Sequence, residues 1–472
     1  MAVSAETELT QAAASPRKNV TRLIVATSLG NALEWFDISV YAYFAVYISK
    51  AFFPTNDQTT SLLLTFGTFG LSFLARPIGG FVLGTYADRY GRKASLLVSI
   101  VMMTFGTLAV ALMPTFGTIG VLAPLLVIVA RLVQGFSAGG EFGSSTAFLV
   151  EHMPGRRGFV ASWQFASQGL SSFLGTGFGA LLSSTLSEAD LQSWGWRIPF
   201  LFGVLIGPIG LYIRNHIEDA TAPPAAKHDT PVRTVFMEQK LAVILAIGAL
   251  AISTAVNYLI IYMPTYVVKT LNLSPTVGYV AAFAAAIAAI LLNPVAGHVS
   301  DRLGRTPYLT TIGVVLLFSI FPLFLLLTSR PTPAVIVIAV LLLGTLKALY
   351  LGALAALMSE LFPPATRATG LGLSYNIGVT AFGGMGPAIM TWLWEFCADR
   401  RARTRILSDG DLHPEPRGTD HDQADLGGLP CVSPRPAAIV FRGPIQPLKV
   451  TFYSGPVYAS ISGQTIQRGE DI

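Results

Sequence analysis

Long apolar runs alternate with short polar breaks along the first 394 residues. A bilayer core of ~30 Å takes roughly 20 apolar residues per helix. Eleven stretches meet that length, near 23–50, 60–86, 94–114, 118–149, 158–184, 197–215, 241–267, 277–299, 308–329, 333–359 and 370–394. Gly and Pro recur inside them, as membrane helices permit. The pattern predicts an all-α membrane protein. It stops at Glu395. The 78 residues from there carry ten acids and nine bases, against sixteen acids and 22 bases in the preceding 394. No stretch in this tail approaches 20 apolar residues, and its composition predicts disorder.

The polar breaks carry topology. With the N-terminus in the cytoplasm, fifteen Lys and Arg of residues 1–394 fall inside, and four, Lys50, Arg197, Lys269 and Arg330, fall outside. Arg76, Arg131 and Lys347 lie within spans. This bias predicts a cytoplasmic N-terminus and, after eleven spans, a tail outside. Six spans precede the longest polar connection, 216–240. The expected division is a cytoplasmic segment 1–21, a six-helix bundle 22–215, a cytoplasmic linker 216–240, a C-terminal bundle of five helices 241–394, and the tail 395–472.

An internal repeat supports two halves. GTYADRYGRK, Gly84 to Lys93, follows the second span, and GHVSDRLGRT, Gly297 to Thr306, follows the eighth. Gly84, Asp88, Arg89, Gly91 and Arg92 match Gly297, Asp301, Arg302, Gly304 and Arg305 at identical offsets, 213 residues apart. Internal repeats of this kind build many transporters. Glycine permits tight turns, and the Asp and Arg can meet neighbouring helix ends, where the dipole strengthens the attraction. The ten gating residues named here are expected to latch the halves in one access state. The alternative is a basic topology anchor.

Composition narrows the function classes. Charged residues make up 12% and hydrophobic residues 52%, too few charges for a water-facing surface. The net charge of +5 comes from bases dispersed between apolar segments, which excludes a nucleic-acid footprint. Cys397 and Cys431, both in the tail, imply no disulfide framework. The first 20 residues hold no apolar core, so no cleavable signal peptide is expected. No phosphate-binding loop or metal-ligand spacing is found, and neither enzyme activity nor a cofactor is expected.

Charges at membrane depth need a reason, because each costs ~2.5–3.5 kcal/mol on insertion scales. Glu34 and Asp37 lie three residues apart on one helix, hence on one face. Burial raises a carboxylate's pKa and a nearby Arg lowers it, so the pair suits proton coupling or a structural salt bridge. Glu141, amid the glycines of SAGGEFG, is a third acid of this kind or a packed partner of Arg76 or Arg89. The planar fork of Arg131 suits a carboxylate; it is an anion site, or is permanently paired with Glu34 or Asp37. Arg76 is read as a structural charge. Lys347, in LLLGTLKALYLG, is a substrate anchor or a lysine paired in the core. Asn257, Tyr258, Tyr262, Tyr375 and Asn376 are candidate neutral hydrogen-bonding partners of substrate, with packing as the alternative.

GTYADRYGRK resembles the signature loop of the major facilitator superfamily. GNALEWFD (Gly30 to Asp37), FLARPIGG (Phe73 to Gly80), RLVQGFSAGGEFG (Arg131 to Gly143), WGWRIPF (Trp194 to Phe200) and ELFPPATRATG (Glu360 to Gly370) resemble its metabolite:proton symporter branch. The resemblance covers about residues 20–394. It implies two pseudo-symmetric helix bundles and alternating access. It also implies proton-coupled import of a small organic acid such as citrate or 2-oxoglutarate, or of a zwitterion such as betaine or proline. Expected partners are that substrate, protons and the lipid of a bacterial inner membrane, with a monomeric chain. A non-transporting membrane sensor is the reading from another class. Lys347 is not recognised as part of the branch pattern. The repeat calls for a twelfth helix after the span ending near Trp394, so the tail is expected to be out-of-frame or foreign sequence, leaving an inactive truncated transporter as a further outcome.

Overall fold

The computed structural model describes residues 16–90, 92–217, 231–393 and 395–396, with two short strands, Ser460–Ile461 and Gln464–Thr465, paired antiparallel. The expectations for the rest of the tail lie outside the described residues. Fourteen helices matter here. They are α1 (Pro16–Tyr43), α2 (Ala45–Phe52), α3 (Gln58–Tyr90), α4 (Arg92–Leu112), α5 (Leu122–Ser137), α6 (Glu141–His152), α7 (Arg157–Thr185), α8 (Ile198–Ile217), α9 (Pro231–Glu238), α10 (Lys240–Lys269), α11 (Pro275–Leu303), α12 (Arg305–Ser329), α13 (Pro333–Glu360) and α14 (Arg367–Val379).

Helix stands at each of the eleven apolar stretches. By length and composition, six helices among the described residues are apolar enough to cross a membrane: Gln58–Leu83, Leu122–His152, Lys240–Lys269, Pro275–Leu303, Arg305–Ser329 and Pro333–Glu360. Residues 97–112 and 195–205 form shorter apolar helices. The stretch at 370–394 is interrupted, since Thr380–Gly384 makes a π turn after α14. The stretch read as a linker contains the short helix α9.

Local chemistry sets several boundaries. Asp57 caps α3: its carboxylate accepts from the Thr60 amide at 2.7 Å and the Thr59 amide at 3.2 Å. The Thr60 hydroxyl and these amides hold the Asp57 carboxyl below its ordinary range. Pro275 and Pro333 sit in the first turns of α11 and α13, where a missing N–H costs nothing. Gly304 separates α11 from α12 at φ 87°, a left-handed conformation that glycine adopts without strain. The repeated glycine of the second loop is therefore a turn residue.

The halves pack through α7 against α11 and through α6 against α14, while α1 packs on α7 and α3 on α5 within the first half. At the end carrying the two loop motifs, α7 and α11 approach through Gly158 and Gly297. A Cβ on Gly158 would lie 2.3 Å from the Gly297 carbonyl oxygen, so no larger residue fits there. α4 packs against α8 and α5. α12 packs on α13 and, less extensively, on α11.

Candidate functional site

The charges at membrane depth form two sets. The first lies within the N-terminal half. Glu34 and Asp37 on α1, Arg76 on α3 and Arg131 on α5 are all buried. Arg76 Nη2 donates to Glu34 Oε1 in a buried salt bridge, and its guanidinium sits 5.2 Å from the ring centres of both Trp35 and Phe73. Arg131 Nη1 donates to Gln134 Oε1 at 2.9 Å and reaches the main-chain carbonyl of Asp37 at 3.4 Å. Gln134 Nε2 donates to Thr107 at 2.8 Å. The Arg131 guanidinium lies 4.4 Å from the ring centre of Tyr41, a contact worth up to ~2 kcal/mol when desolvated.

Asp37 is held by small neighbours. A Cβ on Gly203 of α8 would lie 2.5 Å from Asp37 Oδ1 and 3.2 Å from Thr107 Cγ2. The missing side chain is what admits the carboxylate. Arg131 acts on it electrostatically and Thr107 by hydrogen bonding. Two carboxylates and two guanidiniums are thus packed together out of water, so a proton added to one acid changes the balance felt by the others.

Glu34, Asp37 and Glu141 line one cavity of about 40 Å³, together with Ser99, Met103 and Thr104 of α4, Ser137, and Gly203 and Gly207 of α8. That volume suits about three waters at ~10–15 Å³ of centre space each. The three acids named from sequence are therefore brought together, although Glu141 belongs to a different helix.

The second set lies between the halves. Lys347 on α13, 8% exposed, donates to Asn257 Oδ1 of α10 at 2.9 Å. Both line a cavity of about 20 Å³ with Tyr43, Gln168, Ser172 and Asn293. Asn293 Oδ1 is buried with no hydrogen-bond partner among the described residues, while its Nδ2 donates to the Ala289 carbonyl at 2.6 Å. Ligand pockets usually enclose ~300–1,000 Å³, so this conformation is closed around the Lys347 set.

The other neutral candidates stand around that cavity rather than in its wall. The Tyr375 hydroxyl accepts from Gln168 Nε2 at 3.0 Å, and its ring stacks on Phe142 at 3.6 Å. Asn376 Nδ2 donates to the Gly139 carbonyl at 2.6 Å, joining α14 to the break between α5 and α6. Tyr262 accepts from Thr391 at 3.3 Å and packs on Phe66. Tyr258 packs on Phe69 and Phe73, within electrostatic reach of Arg76 and Arg131, and its hydroxyl has no hydrogen-bond partner among the described residues. Arg131 does not line the Lys347 cavity. Sequence reading missed Gln134, Thr107, Gln168 and Asn293. Only Gln134 carried a signal, a polar residue one turn beyond a buried Arg; the others are ordinary polar positions until helices from elsewhere face them.

The loop motifs differ in what is described. The side chains of Asp88, Arg89 and Arg92, the burial of Gly84, and Gly91 altogether, lie outside what is described. In the second loop, Asp301 accepts from the amides of Gly158 at 2.8 Å and Phe159 at 3.0 Å, at the N-terminus of α7. A carboxylate there meets both free amides and the positive end of the helix dipole. Arg305 bridges Asp301 at 3.0 Å and Glu360 at 2.6 Å. Arg302 carries a more exposed side chain at the end of α11. Arg367 of α14 pairs with Glu151 of α6 at 3.1 Å, a second tie between the halves at that end. At the opposite end, the Tyr279 hydroxyl donates to the Tyr43 carbonyl at 2.9 Å, and Ser183 meets Thr276 at 3.0 Å.

A family model described as Major Facilitator Superfamily matches residues 27–393. The citrate-proton symporter of Klebsiella pneumoniae is 37% identical over 382 residues, covering 80% of this chain and 86% of that protein. The proline/betaine transporter of Escherichia coli (strain K12) is 34% identical over 393 residues, covering 79% of this chain and 78% of that one. The alpha-ketoglutarate permease of the same strain is 34% identical over 386 residues, covering 81% and 88%. A solved D-xylose-proton symporter superposes with a TM-score of 0.63 at 18% identity, covering 79% of this chain and 89% of that one; this likeness concerns the fold.

Proposed function

The chain belongs to the major facilitator superfamily, and from that premise we propose that it is a proton-coupled symporter of a small carboxylate. It is a multi-pass membrane transporter, not an enzyme. Relatives named for citrate-proton symport support the coupling. The finer reading rests on one observation, Lys347. This buried ammonium lines the cavity between the halves with a neutral partner, Asn257. A carboxylate entering there would pair with it and gain ~1.5–3 kcal/mol from a charge-assisted bond.

In this mechanism Glu34, Asp37 and Glu141 handle the proton, with Arg131 sensing the charge of Asp37. Arg76 holds Glu34. Lys347 and Asn257 bind the substrate, with Gln168 and Asn293 offering further polar contacts. Asp301, held by Arg305, and Arg367 tie the halves together at one end, and breaking these ties exposes the cavity there. The bias of fifteen Lys and Arg to four supports a cytoplasmic position for that end.

The rival substrate class is a zwitterion, since relatives named for proline and betaine are nearly as similar. The Lys347 ammonium would repel betaine's quaternary nitrogen, which favours the carboxylate. Uptake of radiolabelled citrate, 2-oxoglutarate and betaine into vesicles, with and without a protonophore, tests both parts. Protonophore-sensitive accumulation of a carboxylate is expected. Accumulation of betaine alone would overturn the substrate, and indifference to the protonophore would overturn the coupling.

A further inference from the structure

The cavity lined by the three acids has a direction. Asp37, Met103 and Gly203 stand at its deep end; Gly30, Ser99, Glu141 and Gly207 stand nearer the loop-motif end on α1, α4, α6 and α8. Three helices give the same sense, because Gly30 on α1 and Ser99 on α4 precede their deep partners toward helix starts at that end, while Gly207 on α8 follows Gly203; Glu141 begins α6, which runs on toward the same end. Seven residues from Gly30 to Asp37 correspond to about 10 Å along α1 at 1.5 Å per residue. Glu141 and Ser99 are only partly buried at the shallow end, whereas Asp37 is 6% exposed.

This cavity shares no lining residue with the one holding Lys347. It lies inside the N-terminal half, not between the halves. It is present while Asp301 and Arg367 tie the halves together at the same end. A small cavity extending toward one side thus coexists with a closed Lys347 cavity.

We propose that Asp37 exchanges its proton with the loop-motif side of the membrane through this cavity, by a route separate from the substrate's, with Glu141 as the relay at its mouth. The inference rests on the proton-coupled reading and adds the route. The protonated Asp37 carboxyl gives its proton to water; the proton passes to the Glu141 carboxylate and from there to bulk water. Asp37 is left as a carboxylate facing Arg131 of α5, Thr107 of α4 and Gly203 of α8. Glu34 stays on the Arg76 guanidinium of α3. Small residues on α8 keep the route open: a Cβ on Gly207 would lie 2.3 Å from Thr104 Oγ1.

Two experiments test the route. In a chain with Cys397 and Cys431 changed to Ser, Ser99→Cys reports on the acid cavity and Ala289→Cys on the Lys347 cavity. A small membrane-impermeant methanethiosulfonate is added to vesicles from each side without substrate. Ser99→Cys should label from the loop-motif side at least tenfold faster than Ala289→Cys. Equal rates, or no labelling of Ser99→Cys from that side, would overturn the separate route. In the second, Glu141→Gln and Ala138→Leu, the latter filling the cavity, are compared for pH-driven citrate accumulation and for citrate counterflow. Accumulation should fall at least tenfold with counterflow within about twofold, because exchange of loaded carriers needs no deprotonation. Accumulation unchanged in Glu141→Gln, or both activities falling together in it, overturns the inference. Wild-type uptake indifferent to a protonophore overturns the coupling itself and the route with it; coupled wild type with unaffected variants overturns the route alone.

Discussion

The two halves repeat one helix order but carry different chemistry. The N-terminal half buries two acids and two arginines, with Arg76 bonded to Glu34 and Arg131 within electrostatic reach of Asp37. In the C-terminal half, Lys347 is buried at membrane depth with an amide for company. A balanced cluster responds to a proton, since one added charge upsets it. An unbalanced cation is suited to an anion that arrives and leaves. The halves differ in burial as well. Of the most apolar window of α12, 11% is buried inside the protein, against 44–56% for the other five long apolar helices. Its counterpart α4 is flanked by α8 and α5. Among the described residues, α12 packs chiefly on α13 and less on α11.

The largest expected effect breaks the asymmetry at the acid cluster. A pH difference of two units can drive about hundredfold accumulation per proton, at tenfold for each 1.4 kcal/mol. Asp37→Asn should bring the ratio near unity while leaving substrate exchange, measured in the same vesicles. Full accumulation in this variant would remove Asp37 from coupling. Next is Lys347. Lys347→Ala should raise the half-saturation concentration of a carboxylate at least about tenfold, from the ~1.5–3 kcal/mol of a charge-assisted bond. An unchanged value would mean that the two halves do not divide proton and substrate in this way.

A smaller effect is expected at the tie between halves. Asp301→Asn removes a charge from the start of α7, a loss of about 1–2 kcal/mol, or roughly five- to thirtyfold in the ratio of conformers. Reporter cysteines between the halves at the loop-motif end should label faster. Unaltered labelling would show that the contact does not set access. The smallest change sharpens the burial contrast: Phe318→Ala on α12, where Phe318 is 74% exposed, should alter stability in detergent by less than ~0.5 kcal/mol. A loss of several kcal/mol would show that another helix covers α12.

Much of this organisation was legible in the order of residues. Apolar length placed the helices, because a bilayer demands it whatever the tertiary packing. The repeated loops announced two halves, and Gly304 shows why one repeated glycine is needed. Depth alone marked Glu34, Asp37, Arg76, Arg131 and Lys347, since a charge in hydrocarbon is costly and must be used or paired. Partnership was not legible. The choice between Glu34 and Glu141 for Arg76 depends on how α1, α3 and α6 rotate against one another. That rotation also separates Arg131 from the Lys347 cavity and puts Gly203 against Asp37. Helix positions follow from a one-dimensional property, hydrophobic length. Pairing, pocket walls and the route of a proton depend on which faces of different helices meet, and only the packed bundle decides that.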